Sequence, residues 1–162
     1  MMNIYPKAYL KNVQAISLEF LKQNNLKALI LDVDNTLIDY YKNLSDDVVA
    51  WANELKNQGI KLFILSNTNK KEKVETVAKK LDIPFINFAK KPSKSGFLKI
   101  QKELNIEPQF IGVVGDQIFT DVFGGNRCKM FTILVEPVTK KDYWYTAWKR
   151  PIENKIKRKI KR

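Results

Sequence analysis

Two aspartates, Asp32 and Asp34, follow directly on the apolar run Ala28-Leu29-Ile30-Leu31 and precede the turn-forming residues Asn35 and Thr36. A β-strand sends alternate side chains to the same side, so this spacing lets both carboxylates converge where a strand ends. Carboxylates held close together repel unless a cation or a proton stands between them. Such a pair suits phosphoryl chemistry, in which one Asp attacks phosphorus, the second moves a proton and a Mg²⁺ ion lies between them. A strand-end turn carrying two solvated acids is the bland alternative, and a short motif alone does not separate the two.

The elements that must position this pair are legible in the apolar periodicity. Tyr9, Val13, Ile16 and Phe20 recur at three-to-four spacing and predict an opening amphipathic helix over 6–25. Short apolar runs at 27–33, 60–65, 83–88, 110–114 and 130–135 read as strands. Helical patterns at 45–57, 70–81, 97–104 and 120–124 lie between them, and Gly124-Gly125-Asn126 reads as a helix stop. This alternation specifies an α/β fold: a doubly wound, five-stranded parallel sheet with helices on both faces, in a single domain spanning 1–162.

In such sheets ligands bind outside the carboxyl ends of the strands. Asp32 and Asp34 follow the first predicted strand, Ser66 and Asn67 the second, Lys91 the third, and Asp116 with Asp121 the fourth. Asp32 is the candidate nucleophile, forming an aspartyl-phosphate, and Asp34 the candidate acid and base. Asp32, the backbone carbonyl of Asp34, and Asp116 form a minimal Mg²⁺ set, although Asp116 could instead merely cap a helix. Ser66 either bonds a phosphate oxygen or caps the helix that follows. Lys91 is assigned to neutralising phosphate, with Lys90 and Lys94 as rivals. Asp121 is expected to orient Lys91 or a metal-bound water, and Thr36 and Asn67 join the phosphate-binding set.

Composition narrows the chemistry. The 162 residues contain no histidine, which removes Ser-His and Cys-His catalysis and His-ligated zinc, and Cys128 is the one cysteine. The net charge is +12, and most of it sits in 139–162, where ten Lys/Arg face only Asp142 and Glu153. No run of about 18 apolar residues could span a bilayer, and Met1 to Lys11 lacks an apolar export signal. A cytoplasmic protein is expected, with the basic tail available to an anionic partner.

Asp32-x-Asp34-x-Thr36, Ser66-Asn67, Lys91-Pro92 and Gly115-Asp116-(x4)-Asp121 stand in the order and approximate spacing of the four motifs of the haloacid-dehalogenase (HAD) superfamily. The chain further resembles the YqeG family of HAD subclass IIIA. That likeness rests on Pro6-(x2)-Tyr9, the stretch from Leu31 to Leu37, Ser66-Asn67-Thr68, Lys90-Lys91-Pro92-(x3)-Gly96-Phe97, and the segment from Val114 to Arg127. The resemblance implies a Mg²⁺-dependent phosphatase that removes the terminal phosphate of phosphatidylglycerophosphate. Family members often have a small residue and a glycine where Cys128 and Lys129 stand.

Only about ten residues separate Asp34 from the helix at Ser45, and about two dozen separate Ser66 from Lys91. Neither gap holds a cap domain, so the site is expected to be open to a phosphate carried on a membrane, a polymer or a protein. In the tail, Trp144, Trp148, Ile152, Ile156 and Ile160 recur every fourth residue among lysines and arginines, with Pro151 dividing the stretch. This stripe either packs on the α/β body or enters the headgroup boundary of an anionic membrane, where each cation adds roughly 1 kcal/mol. The second option would place the protein peripherally at the inner face of the cell membrane. Two other functions stay open. The same machinery could serve nucleic-acid ends or phosphoproteins, or the chain could be a non-catalytic membrane- or RNA-binding module.

Overall fold

The protein is described by a computed structural model covering residues 3–139 together with Asn154, Lys155, Arg158 and Lys159. The tail stripe of Trp144, Trp148, Ile152, Ile156 and Ile160 lies outside the described residues. Six parallel strands form one sheet: β1 (Ala8–Leu10), β2 (Ala28–Leu31), β3 (Lys61–Leu65), β4 (Phe85–Ile86), β5 (Ile111–Gly115) and β6 (Phe131–Val135), in the order β1-β6-β5-β2-β3-β4. β2 pairs with β3 on one side and β5 on the other, Ala28 facing both Lys61 and Ile111. The chain winds outward from β2 through β3 to β4, then returns to β2's other side at β5. The crevice between the ends of β2 and β5 is therefore the switch point where α/β sheets bind ligands.

Alternation along β2 divides the core. Leu29 and Leu31 face α2 (Asp46–Asn57) and α3 (Lys71–Leu81), packing with Trp51, Leu55, Val74 and Val77. Ala28 and Ile30 face α4 (Lys94–Leu104), packing with Phe97, Ile100 and Met130. Burial on both faces explains the unbroken apolar character of β2 and β5. Helix α2 starts where expected because the Ser45 hydroxyl accepts a hydrogen bond from Val48 N–H at 3.2 Å.

The sixth strand corrects the expected five, and it replaces part of the expected opening helix. Residues 8–10 pair with β6, Ala8 opposite Ile133. A 3₁₀ turn (Val13–Ala15) and α1 (Leu18–Gln23) follow, capped by Asn12 and Ser17. The three-to-four spacing is real, but its residues serve different clusters: Val13 and Ile16 join the α2 side, and Tyr9 packs near Ile118 and Leu134. An unpaired β6 edge would leave backbone groups without partners, and residues 8–10 satisfy them. β4 is also shorter than the expected 83–88, and past its end Phe88 enters the left-handed region at φ +53° and turns the chain.

The expected helix over 120–124 is a π-helical turn (Ile118–Val122) continuing into α5 (Phe123–Arg127). Gly124 and Gly125 lie inside α5 and not at a stop. A Cβ on Gly124 would lie 2.6 Å from the Phe97 ring, and one on Gly125 2.6 Å from the Thr132 methyl. Lys129 has φ +61°, a conformation that glycine adopts without cost.

Candidate active site

Asp32 sits at the switch point, its N–H donating to Val114 O at 3.0 Å across from β5. The chain then turns sharply. The N–H groups of Thr36, Leu37 and Ile38 all donate to Val33 O, and Asn35 takes φ +59°. This turn swings Thr36 under the acids, where its hydroxyl lies 3.4 Å from Asp32 Oδ2 and 3.3 Å from Asp116 Oδ1. A hydroxyl has one proton, so it can serve only one of the two carboxylates at a time. Thr36, a member of the phosphate-binding set expected from the sequence, has its hydroxyl between two acids in this arrangement.

Lys91 is the cation at the centre of the site, 6% exposed. Its Nζ donates to Asp121 Oδ1 at 2.7 Å, Leu65 O at 2.8 Å and Asp32 Oδ1 at 3.0 Å. Those three bonds use all three ammonium protons. The backbone of Lys91 is gripped by Asn67, whose Oδ1 accepts from Lys91 N at 2.6 Å and whose Nδ2 donates to Lys91 O at 3.1 Å. Asn67 thus positions the lysine in this arrangement. The rival Lys90 is exposed and lies over the Phe88 ring. Ser66 is buried beside them, its Oγ accepting from Thr68 N at 3.3 Å, and it does not cap α3.

The π-helical turn places Asp121 against Gly115, where any Cβ would fall on the Asp121 carboxylate. Asp121 Oδ2 accepts from Gln117 N at 3.3 Å, so both its oxygens have partners. Ligand oxygens of Asp32, Asp116 and Asp121 all lie within 4.8 Å of one another. Three carboxylates around one buried ammonium leave an excess of negative charge, and hard oxygen donors of this kind fit a divalent cation such as Mg²⁺. Asp121 is held by Lys91 and by a backbone N–H, whereas Asp32 Oδ2 and Asp116 Oδ1 share the single Thr36 proton, so Asp32 and Asp116 are the side chains best placed to hold it.

Asp34 stands apart from this cluster. Its side chain is 51% exposed, at the mouth, and Lys73 Nζ donates to its Oδ1 at 2.7 Å. Lys73 belongs to the first turn of α3 and was not singled out in the sequence. It is one of several lysines in 70–80, and nothing in the spacing marks it.

Burial and the nearby Asp121 push the Asp32 carboxyl up to about 7, against the opposing pull of Lys91. Burial alone lowers the Lys91 ammonium, but Asp121 and then Asp32 more than reverse it, so its pKa rises. The Asp32 shift has a consequence for the metal-free protein. Folded Asp32 holds its proton up to about pH 7, whereas in the unfolded chain it ionises near pH 4. Its contribution to stability is therefore full below about pH 4 and lost as pH rises to about 7, by at most about 4 kcal/mol. In EDTA, thermal melts should show the wild type losing stability between pH 4 and 8 relative to Asp32→Asn. A pH-independent gap between the two would contradict this origin.

A family model described as mitochondrial PGP phosphatase matches residues 1–139. The chain belongs to this family. It is 38% identical over 158 residues to "Probable phosphatase YqeG" of Bacillus subtilis (strain 168), spanning 97% of this chain and 91% of that protein. Among solved structures, an uncharacterized protein from Listeria monocytogenes serotype 4b aligns with a TM-score of 0.58 at 20% identity, over 73% of this chain and 85% of that one. The cobalt-bound deoxy-D-mannose-octulosonate 8-phosphate phosphatase of Haemophilus influenzae aligns with a TM-score of 0.54 at 15% identity, over 86% and 91%. These two likenesses show the fold. By the family match and the Bacillus subtilis relative, the chain is a YqeG-type phosphatase. Among the described residues no helix is long and apolar enough to cross a membrane.

Proposed function

We propose that this phosphatase removes the terminal phosphate of phosphatidylglycerophosphate through an aspartyl-phosphate on Asp32. The gathering of Asp32, Asp116 and Asp121 around Lys91 supports the chemistry, and the family description supports the substrate. Asp32 attacks phosphorus and the bond from phosphorus to the glycerol oxygen breaks. Asp34 gives that oxygen a proton. Water then attacks the phosphorylated Asp32, Asp34 accepts its proton, and inorganic phosphate leaves. Bound Mg²⁺ would keep Asp32 ionised for the attack and supply charge neutralisation at the phosphoryl oxygens. Ser66 would bond one of those oxygens, and Lys91, its protons already engaged, would act on the phosphate through its charge.

Between Asp34 and α2 the chain makes only a tight turn with isolated bridges, Asp34 to Ile38 and Ile38 to Leu44. No cap stands over the site there, which suits a phosphate presented on a bilayer, with the basic 139–162 segment drawn to the anionic surface at its inner face. The deciding experiment follows inorganic phosphate release from phosphatidylglycerophosphate in mixed micelles. Release should stop in EDTA and return with added Mg²⁺. Turnover of small phosphomonoesters with none of the lipid would remove this substrate and leave the phosphatase assignment intact.

A further inference from the structure

A groove of about 530 Å³ opens between the turn after β2 and the first turns of α3. Lys42, Lys70, Lys71, Lys73 and Lys80 line it against a single acid, Glu72. Surface lysines are usually no more than a solvated face. This set differs because it surrounds a concavity whose floor includes the buried side chains of Ile38 and Val77, with half-buried Leu44. Among the described residues, Lys73 is the one lysine of the five in an ion pair, and its partner is Asp34. One rim residue is thus bonded to the candidate acid and base of the active site. The other four line the groove with no ion-pair partner among the described residues.

The walls are built before any ligand arrives. Lys42 occupies the left-handed region at φ +67°, and its N–H donates to Asp39 O at 3.1 Å. Asp39 also takes two bonds from Asn43, N–H to Oδ1 at 2.8 Å and Nδ2 to Oδ2 at 3.2 Å. Opposite stands the first turn of α3, whose N-cap Lys70 makes no side-chain capping bond. That helix end adds partial positive charge to the lysines.

We infer that this groove is a binding site for the body of an anionic phospholipid, its phosphodiester among the lysines and the start of its acyl chains on Ile38, Leu44 and Val77. The inference rests on the lipid reading of the active site and extends it, because phosphatidylglycerophosphate has a diester phosphate next to the monoester that is cleaved. An apolar floor under a cationic rim matches an amphiphile. A nucleic-acid strand would call for stacking aromatics, and none lines the groove.

The test uses the full chain and short-chain lipids below their micelle concentration, followed by amide shifts of Ile38, Leu44 and Val77. Dihexanoyl phosphatidylglycerol, which has the diester and no monoester, should bind at least about tenfold more tightly than dihexanoyl phosphatidylcholine. It should also outbind glycerophosphoglycerol, which lacks the chains. The combined variant Lys42→Gln, Lys70→Gln, Lys71→Gln, Lys80→Gln should weaken phosphatidylglycerol binding at least about tenfold, and Thr76→Glu alone should act in the same direction. In both variants the ratio of kcat/KM for the lipid substrate to that for p-nitrophenyl phosphate should fall comparably, through KM. Equal wild-type affinity for the two lipids would overturn the proposal, as would variants with unchanged phosphatidylglycerol binding. Binding of glycerophosphoglycerol or an oligonucleotide as tightly as the lipid would overturn it too. If the wild type binds phosphatidylglycerol here but releases no phosphate from phosphatidylglycerophosphate, the groove stands and the substrate reading falls. The reverse pattern separates them the other way.

Discussion

Asp32→Asn should lower kcat for any phosphomonoester by about 10⁴-fold or more, equivalent to at least about 5 kcal/mol of barrier. An amide nitrogen is no nucleophile towards phosphorus, and the substitution also removes one of the two carboxylates best placed for the divalent ion. The change is nearly isosteric, and Lys91 keeps Asp121 at 2.7 Å and Leu65 O at 2.8 Å, so the fold should persist. Circular dichroism melts run beside the steady-state kinetics separate lost chemistry from lost structure. Retention of more than a few per cent of turnover in a folded variant would remove Asp32 as the nucleophile.

Lys91→Met should be the most destabilising single change at the site. It keeps the length of the side chain and deletes the charge that Asp32 and Asp121 face, leaving buried carboxylates without their ammonium. Breaking a buried pair from one side costs about 3–5 kcal/mol, which for a chain of this size lowers the melting temperature by roughly 10–15 °C. The loss should be largest in EDTA at pH 8. It should shrink as the pH falls, because protonated carboxyls no longer repel. A loss of equal size at pH 5 and pH 8 would point to packing instead of charge, and a melting temperature within about 2 °C of wild type would show that the ion pairs contribute little. Activity should fall at least about 100-fold, since Asp32 loses the bond from Lys91 Nζ at its Oδ1.

The order of elements from β2 onward could be read in advance because each has a local cause. β2 and β5 are unbroken apolar runs, and α2 begins at a serine that caps it. The N-terminal segment could not be read this way. Val13, Ile16 and Phe20 have helical spacing, but whether residues 8–10 coil or extend depends on an edge of β6 about 120 residues away. Local periodicity contains no information about that partner. The π-helical turn over Ile118–Val122 is similar, being shaped by how Asp121 reaches Lys91 and Gly115.

Sequence alone determined which chemistry was possible. With no histidine and one cysteine, acids, hydroxyls and lysines were the groups left, and four ordered motifs grouped them. Tertiary structure decided how those groups divide the work. It turned the Thr36 hydroxyl toward two carboxylates, set Asn67 on the Lys91 backbone, and enclosed the Lys91 ammonium between Asp32 and Asp121. It also bonded Lys73 to Asp34, a pairing hidden among like residues. The reason is physical. Residue type and spacing specify what a side chain can donate or accept, whereas the partner is set by where distant strands end and how much water remains around them.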